Sequence, residues 1–194
     1  MAITAGGILY AQSFELGFTV GSSLDLSCLA DTGADIAMVF SIPSGLDIGF
    51  GTGLRFASPI YRKTVANTIT SADKVSRDYS ADLTLPLFSR LRYRFPANFF
   101  LQIDSGYRFG LASVCYGKGW APANSKKSTF NGIIIEPQAG FHLDSRRSLS
   151  FGMTLQQYSR GDARRSSSAE HSSYEYRTVN RWSPIVFIRY SILL

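Results

Sequence analysis

Apolar and polar residues alternate with a period of two along most of this chain, and that is the signature of strands whose successive side chains point to opposite faces. Phe14, Leu16, Phe18, Val20, Leu24 and Leu26 alternate with Glu15, Gly17, Thr19, Gly21, Ser23 and Asp25. Ile36, Met38, Phe40 and Ile42 form a second apolar face, and Leu46, Ile48, Phe50, Leu54 and Phe56 a third, opposed by Asp47, Gly49, Gly51, Gly53 and Arg55. In 82–95 the odd positions Leu83, Leu85, Leu87, Leu91, Tyr93 and Phe95 oppose Asp82, Thr84, Arg90, Arg92 and Arg94. The pattern recurs in 99–111, 130–143, 148–158 and 179–194, which predicts about eight strands, the smallest even number that closes a membrane barrel.

The connections alternate in length. Longer polar segments (27–34, 59–78, 114–129, 159–178) separate tight turns at "PSG" (43–45), "PAN" (96–98) and "DSRR" (144–147). Short turns at one end and long loops at the other characterise outer-membrane barrels, with the turns periplasmic and the loops extracellular. The polar face decides which side is the lumen. It holds glycines together with Glu15, Asp47, Arg55, Asp82, Arg90, Arg92, Arg94, Asp104, Arg108, Glu136 and Arg189, both signs of charge that can pair in a confined interior. A soluble lipocalin-like barrel would reverse the two faces and place Arg90, Arg92 and Arg94 in water. The expected fold is therefore an all-β, eight-stranded, antiparallel up-and-down transmembrane β-barrel over 13–194, with aromatic girdles at Tyr93, Phe95 and Phe99 on one rim and Tyr61, Tyr79 and Trp182 on the other. Residues 1–12, "MAITAGGILYAQ", read as the remnant of an export signal or as an N-terminal arm.

The segment "YSADLTLPLFSRLRYRFPANFFLQIDSGYRFGL" (79–111) resembles the central hairpin of the small outer-membrane protein β-barrel family of Bacteroidetes, similar in architecture to OmpX and the OmpA membrane domain. Leu85-Pro86-Leu87, the Arg-Tyr-Arg-Phe run before the Pro turn and the Gly-Tyr of the next strand carry the likeness. The end "IVFIRYSILL" is similar to a barrel-assembly signal, although Leu194 stands where a terminal Phe is usual. The resemblance implies a bacterial outer-membrane location with both termini periplasmic. It specifies no activity, since such folds host many functions.

Composition changes this picture little. The chain has 194 residues, 45% hydrophobic and 18% charged, with 17 Gly and 14 Phe. Its net charge of +6 matches the excess in segments 59–78, 114–129 and 159–178, including Arg62, Lys63, Lys118, Lys126, Lys127, Arg164 and Arg165. Such a basic extracellular rim suits outer-membrane lipids and the phosphates of lipopolysaccharide, or an acidic patch on a larger envelope complex, rather than nucleic acid. Cys28 and Cys115 have no metal-binding spacing, so no metal and no cofactor are expected. They fall at the extracellular ends of the first and fifth predicted strands, where a disulfide would need loops arching over the barrel.

In "AEHSSYEYR" (169–177), His171, Ser173 and Glu175 supply the residue types of a Ser-His-acid hydrolase, and outer-membrane lipid A deacylases resemble this in their His-x-Ser. The segment is serine-rich, however, and those types are expected there by composition. The preferred reading is a non-enzymatic structural or accessory subunit of the outer membrane, associated with a larger envelope complex. A lipid A deacylase-like enzyme and a narrow pore are the alternatives.

Overall fold

A computed structural model of the chain describes residues 2–5, 8–24, 28–65, 75–115, 119–122, 131–168 and 171–194. Ten strands, β1 (Ala2–Ala5), β2 (Ile8–Ser23), β3 (Cys28–Ser41), β4 (Leu46–Val65), β5 (Val75–Arg94), β6 (Phe99–Cys115), β7 (Gly119–Pro122), β8 (Gly132–His142), β9 (Arg147–Ser168) and β10 (His171–Leu193), form a single antiparallel sheet. Eight of them make the wall in the order β2-β3-β4-β5-β6-β8-β9-β10. The wall closes because β2 pairs with both β3 and β10. Closure removes the sheet edge, the condition under which a strand can cross hydrocarbon with every backbone group bonded. Two short strands stand outside the wall, β1 against the start of β2 and β7 against the end of β6.

The two faces have the polarity of a barrel in lipid. Phe14, Phe18, Phe50, Leu91, Leu101, Phe109, Phe151 and Ile188 are exposed on the outside, while Glu15, Asp104, Arg90, Arg108 and Arg189 are buried within. At the turn end Tyr93, Phe95, Phe99 and Phe141 form a continuous outer chain of rings with centroids 4.7, 5.5 and 5.5 Å apart. At the opposite end Trp182 is exposed. Ser89 and Ser105, cross-strand neighbours on the outer face, satisfy each other at 3.3 Å.

Turn chemistry explains the tight end. Gly45 sits at φ +86° in the β3–β4 turn, a conformation costly for any residue with a Cβ. Ala97 and Asn98 are both left-handed (φ 67° and 63°) in the β5–β6 turn. Asp144 organises the β8–β9 turn by accepting the Arg146 and Arg147 backbone N–H groups at 2.8 and 2.7 Å. Those bonds, the Arg146 N–H first and the Arg147 side chain next, hold its carboxyl below the usual carboxylate range.

Three expectations need correction. Most of 59–78 and 159–178 is strand rather than loop: β4 and β5 pair out to Val65↔Val75, and β9 and β10 out to Ser168↔His171. The apolar–polar alternation is lost in these segments of the sequence while the backbone ladder continues. With 22 and 23 residues, β9 and β10 are about twice the ~9–11 residues needed to cross a bilayer. The second correction concerns 27–34, where β3 already begins at Cys28.

Cys28 therefore opens the second wall strand, not the first. The ladders put Cys28 level with Ile60, Ile60 with Ser80, and Ser80 with Cys115, which separates the two cysteines by three strand spacings of ~4.8 Å at the backbone. A disulfide needs Cα atoms within ~7 Å, so the pairing is excluded at this register.

Glycines on the inner face bring strands close together. A Cβ on Gly106 would lie 1.9 Å from the Leu87 carbonyl oxygen and 2.7 Å from the Phe88 Cα, both backbone atoms of the adjoining strand. Gly106→Ala is expected to destabilise the barrel by about 1–3 kcal/mol through overpacking, measured as a lower urea midpoint of the folded, heat-modifiable form. Ser89→Ala on the outer face, which leaves the Ser105 hydroxyl without its partner, is expected to lower that midpoint less.

Candidate functional site

Successive inward positions on neighbouring strands put the charged residues into one layer across the lumen. Arg90 on β5 meets Asp104 on β6 through Nε–Oδ1 and Nη2–Oδ2, both 2.9 Å, a planar fork on a carboxylate. Its remaining Nη1 reaches Glu15 on β2 at 2.7 Å. Arg189 on β10 bridges Asp104 (3.1 Å) and Asp35 on β3. Arg55 on β4 lies 3.4 Å from Glu136 on β8 and 3.8 Å from Asp35. Thr154 on β9 donates to Glu136 at 2.8 Å, so the cluster draws on all eight wall strands. Amides complete it: Gln102 and Gln138 donate to Asp104 at 3.0 and 3.3 Å, and Ser150 donates to Gln138 at 2.8 Å.

A second pair lies in the same interior, with Arg108 3.1 Å from Asp31. Arg92 donates from Nε to Gln102 and from Nη2 to Glu15, each at 2.7 Å, with its guanidinium 4.7 Å over the Phe100 ring. Apolar groups fill the remaining space, since Phe88 packs with Ala37 and Val39 and lies 5.3 Å from the Arg90 guanidinium. Room for the bulkiest cations comes from glycines: a Cβ on Gly17 would stand 2.6 Å from Arg189 Nη2, and one on Gly33 2.3 Å from Arg55 Cδ.

Among the charged side chains expected in the lumen, Glu15, Asp47, Arg55, Asp82, Arg90, Arg92, Asp104, Arg108, Glu136 and Arg189 are buried. Arg94 is the exception. It stands at the mouth, its side chain 39% exposed, 3.1 Å from Asp47. Two central acids, Asp31 and Asp35, were not expected. Asp31 fell in a supposed loop, and the odd-numbered series 31, 33, 35, 37, 39 is masked because it ends in apolar Ala37 and Val39. Phe88, Phe100, Ile134, Ile185 and Phe187 are likewise inside although apolar. The layer is acidic in sum, with seven buried carboxylates against five buried guanidiniums among the described residues.

The other candidates lie elsewhere. His171, Ser173 and Glu175 follow one another at every second position of β10, opposite Ser168, Ser166 and Arg164. They stand in the part of the hairpin beyond the lumen cluster. Arg62 and Lys63 lie on β4, and Arg164 and Arg165 on β9, in paired strands rather than loops. Lys118, Lys126 and Lys127 are outside the described residues. No group of three or more metal-ligating side chains occurs among the described residues.

No family model and no curated protein matches the chain. Among solved structures it is similar to the outer membrane protein OprG from Pseudomonas aeruginosa, with 14% identity and a TM-score of 0.51 over 95% of this chain and 97% of that one. The chain has the fold of an outer-membrane β-barrel. Matches also include a major outer membrane protein from Thermus thermophilus (12% identity, TM-score 0.48, covering 95% of this chain and 100% of that one) and a de novo designed transmembrane β-barrel (9%, 0.44, all of both chains). Identity at this level speaks for the fold alone.

In this barrel, removing one member of the ion cluster leaves its partners charged and dry. Arg90→Leu takes one of the two guanidiniums from Glu15 and the forked contact from Asp104, and is expected to cost about 3–5 kcal/mol. Leu91→Ala on the outer face is expected to cost clearly less. Urea titration in phospholipid vesicles, followed by tryptophan fluorescence, compares them; equal small losses would mean that the cluster does not hold the barrel shut.

Proposed function

We propose that the chain is an integral protein of the bacterial outer membrane whose lumen is sealed, and that it acts as a non-enzymatic structural or accessory component of the envelope. The observation that carries this reading is the ion layer itself: guanidiniums from β4, β5 and β10 meet carboxylates from β2, β3, β6 and β8 within an apolar outer belt. An eight-stranded wall leaves an interior that side chains about fill. The layer fills it with groups that are bonded to one another.

A periplasmic position for both ends of the chain is part of the proposal, supported by the short turns at the end where Leu194 donates its N–H to the Phe14 carbonyl. The resemblance of 79–111 to the Bacteroidetes family belongs to the same reading. At the other end, Arg62, Lys63, Arg164 and Arg165 on the extended hairpins offer cations to lipopolysaccharide or to an acidic face of a larger complex.

Two measurements test it. Purified protein inserted into a planar bilayer is expected to carry no steady ion current, and a reproducible open level would overturn the sealed reading in favour of a pore. Ser173→Ala is expected to leave the acylation pattern of lipid A unchanged when expressed in place of the parent. A changed pattern with normal barrel assembly would make the chain a lipid-modifying enzyme.

A further inference from the structure

Below the ion layer, the end of the barrel that carries the short turns opens into a cavity of about 580 Å³. That is the size of a small-molecule pocket. The carboxylates around it lie within ion-pair or hydrogen-bond distance of cationic or N–H groups of the barrel itself. Glu15 is shared between Arg90 and Arg92, both at 2.7 Å. Asp47 has Arg94 at 3.1 Å, and Asp144 is taken up by the turn N–H groups of Arg146 and Arg147.

The groups left to meet an incoming molecule are donors. Arg92 is only 4% exposed and has spent Nε on Gln102 and Nη2 on Glu15, which leaves Nη1 for the cavity that it lines. It cannot turn away, since the guanidinium is held over Phe100. Arg94 lines the same cavity with its partly exposed guanidinium. His142, its ring tilted against Phe100 with centroids 5.0 Å apart, also lines the cavity, its Nε2 turned away from it and buried. Arg146 adds a further cation at the rim. A buried, immobilised guanidinium with a spare N–H, beside a second guanidinium, matches the planar or tetrahedral oxygens of a carboxylate or phosphate.

We infer that this turn-side cavity is a binding site for a small soluble molecule bearing a phosphate or carboxylate, with Arg92 and Arg94 as the recognising groups and the His142 ring in its lining. The two recognising guanidiniums come from β5, and the rest of the lining from the turn-side ends of the other wall strands and the turns. The inference therefore goes beyond the sealed-barrel reading and does not depend on which compartment the turns face.

The test uses the full chain in nanodiscs of zwitterionic lipid, with inorganic phosphate and succinate as probes and methylammonium as the cationic control, at constant ionic strength set with chloride. Nuclear magnetic resonance follows the Arg92 side-chain Nε–H and the His142 ring. Both signals are expected to shift saturably with either anion and not with methylammonium. Arg94→Gln, at the mouth and outside the central layer, is expected to keep the barrel spectrum and weaken both anions roughly tenfold. Arg146→Gln, in a turn, serves as a second variant with a smaller expected loss. Shifts that never saturate, shifts that methylammonium reproduces, or saturable binding untouched by Arg94→Gln would each overturn the site.

Discussion

A guanidinium that leaves water must find carboxylates, and in this barrel Asp104 is where they converge. It takes a two-pronged contact from Arg90, a further bond from Arg189 and amide donors from Gln102 and Gln138. None of these groups has a solvent alternative, so the geometry of the strands that carry them is fixed jointly. Arg90 and Glu15 are far apart in sequence and lie on strands that are not neighbours in the wall, as do Arg189 and Asp35. Only a closed wall brings these partners together. The ion layer is thus both a consequence of closure and a lock upon it.

The outer belt follows from the same constraint. With the polar positions committed to the interior, the alternate positions of every wall strand face outward, and they are apolar over most of the barrel's height. The backbone is satisfied strand to strand around the closed circuit, the arrangement that lipid demands. Glycine enters where the interior is crowded, under Arg189 and Arg55 and where β6 passes close to β5 at Leu87 and Phe88. The aromatic chain from Tyr93 to Phe141 then marks the level at which the belt ends and the turns begin.

The character of the lumen and its ends changes along the barrel axis. The middle is filled and charged. The turn end holds an open cavity lined by the ion pairs of Arg92 with Glu15 and of Arg94 with Asp47, where Arg92 keeps an uncommitted N–H and Arg94 a partly exposed guanidinium. The far end extends as long hairpins bearing most of the surplus cations.

Within the wall, the sequence by itself determined the strands, their outward and inward faces and most of the lumen charges, because lipid on one side and packed polar groups on the other impose a period of two that a reader can see. Glu15, Arg90, Asp104 and Arg189 are legible for that reason. It did not reveal Asp31 and Asp35, whose inward series runs into Ala37 and Val39, nor Phe88 and Phe100, which are apolar yet fill the lumen beside guanidiniums. It also lost the upper halves of β9 and β10, where the sequence carries no period of two although the strands stay paired. Which carboxylate meets which arginine, that Arg94 stays at the mouth, and that Cys28 and Cys115 stand three strands apart were decided only by the tertiary structure. Strand register and closure set those distances, and both are properties of the whole circuit of strands rather than of any one segment.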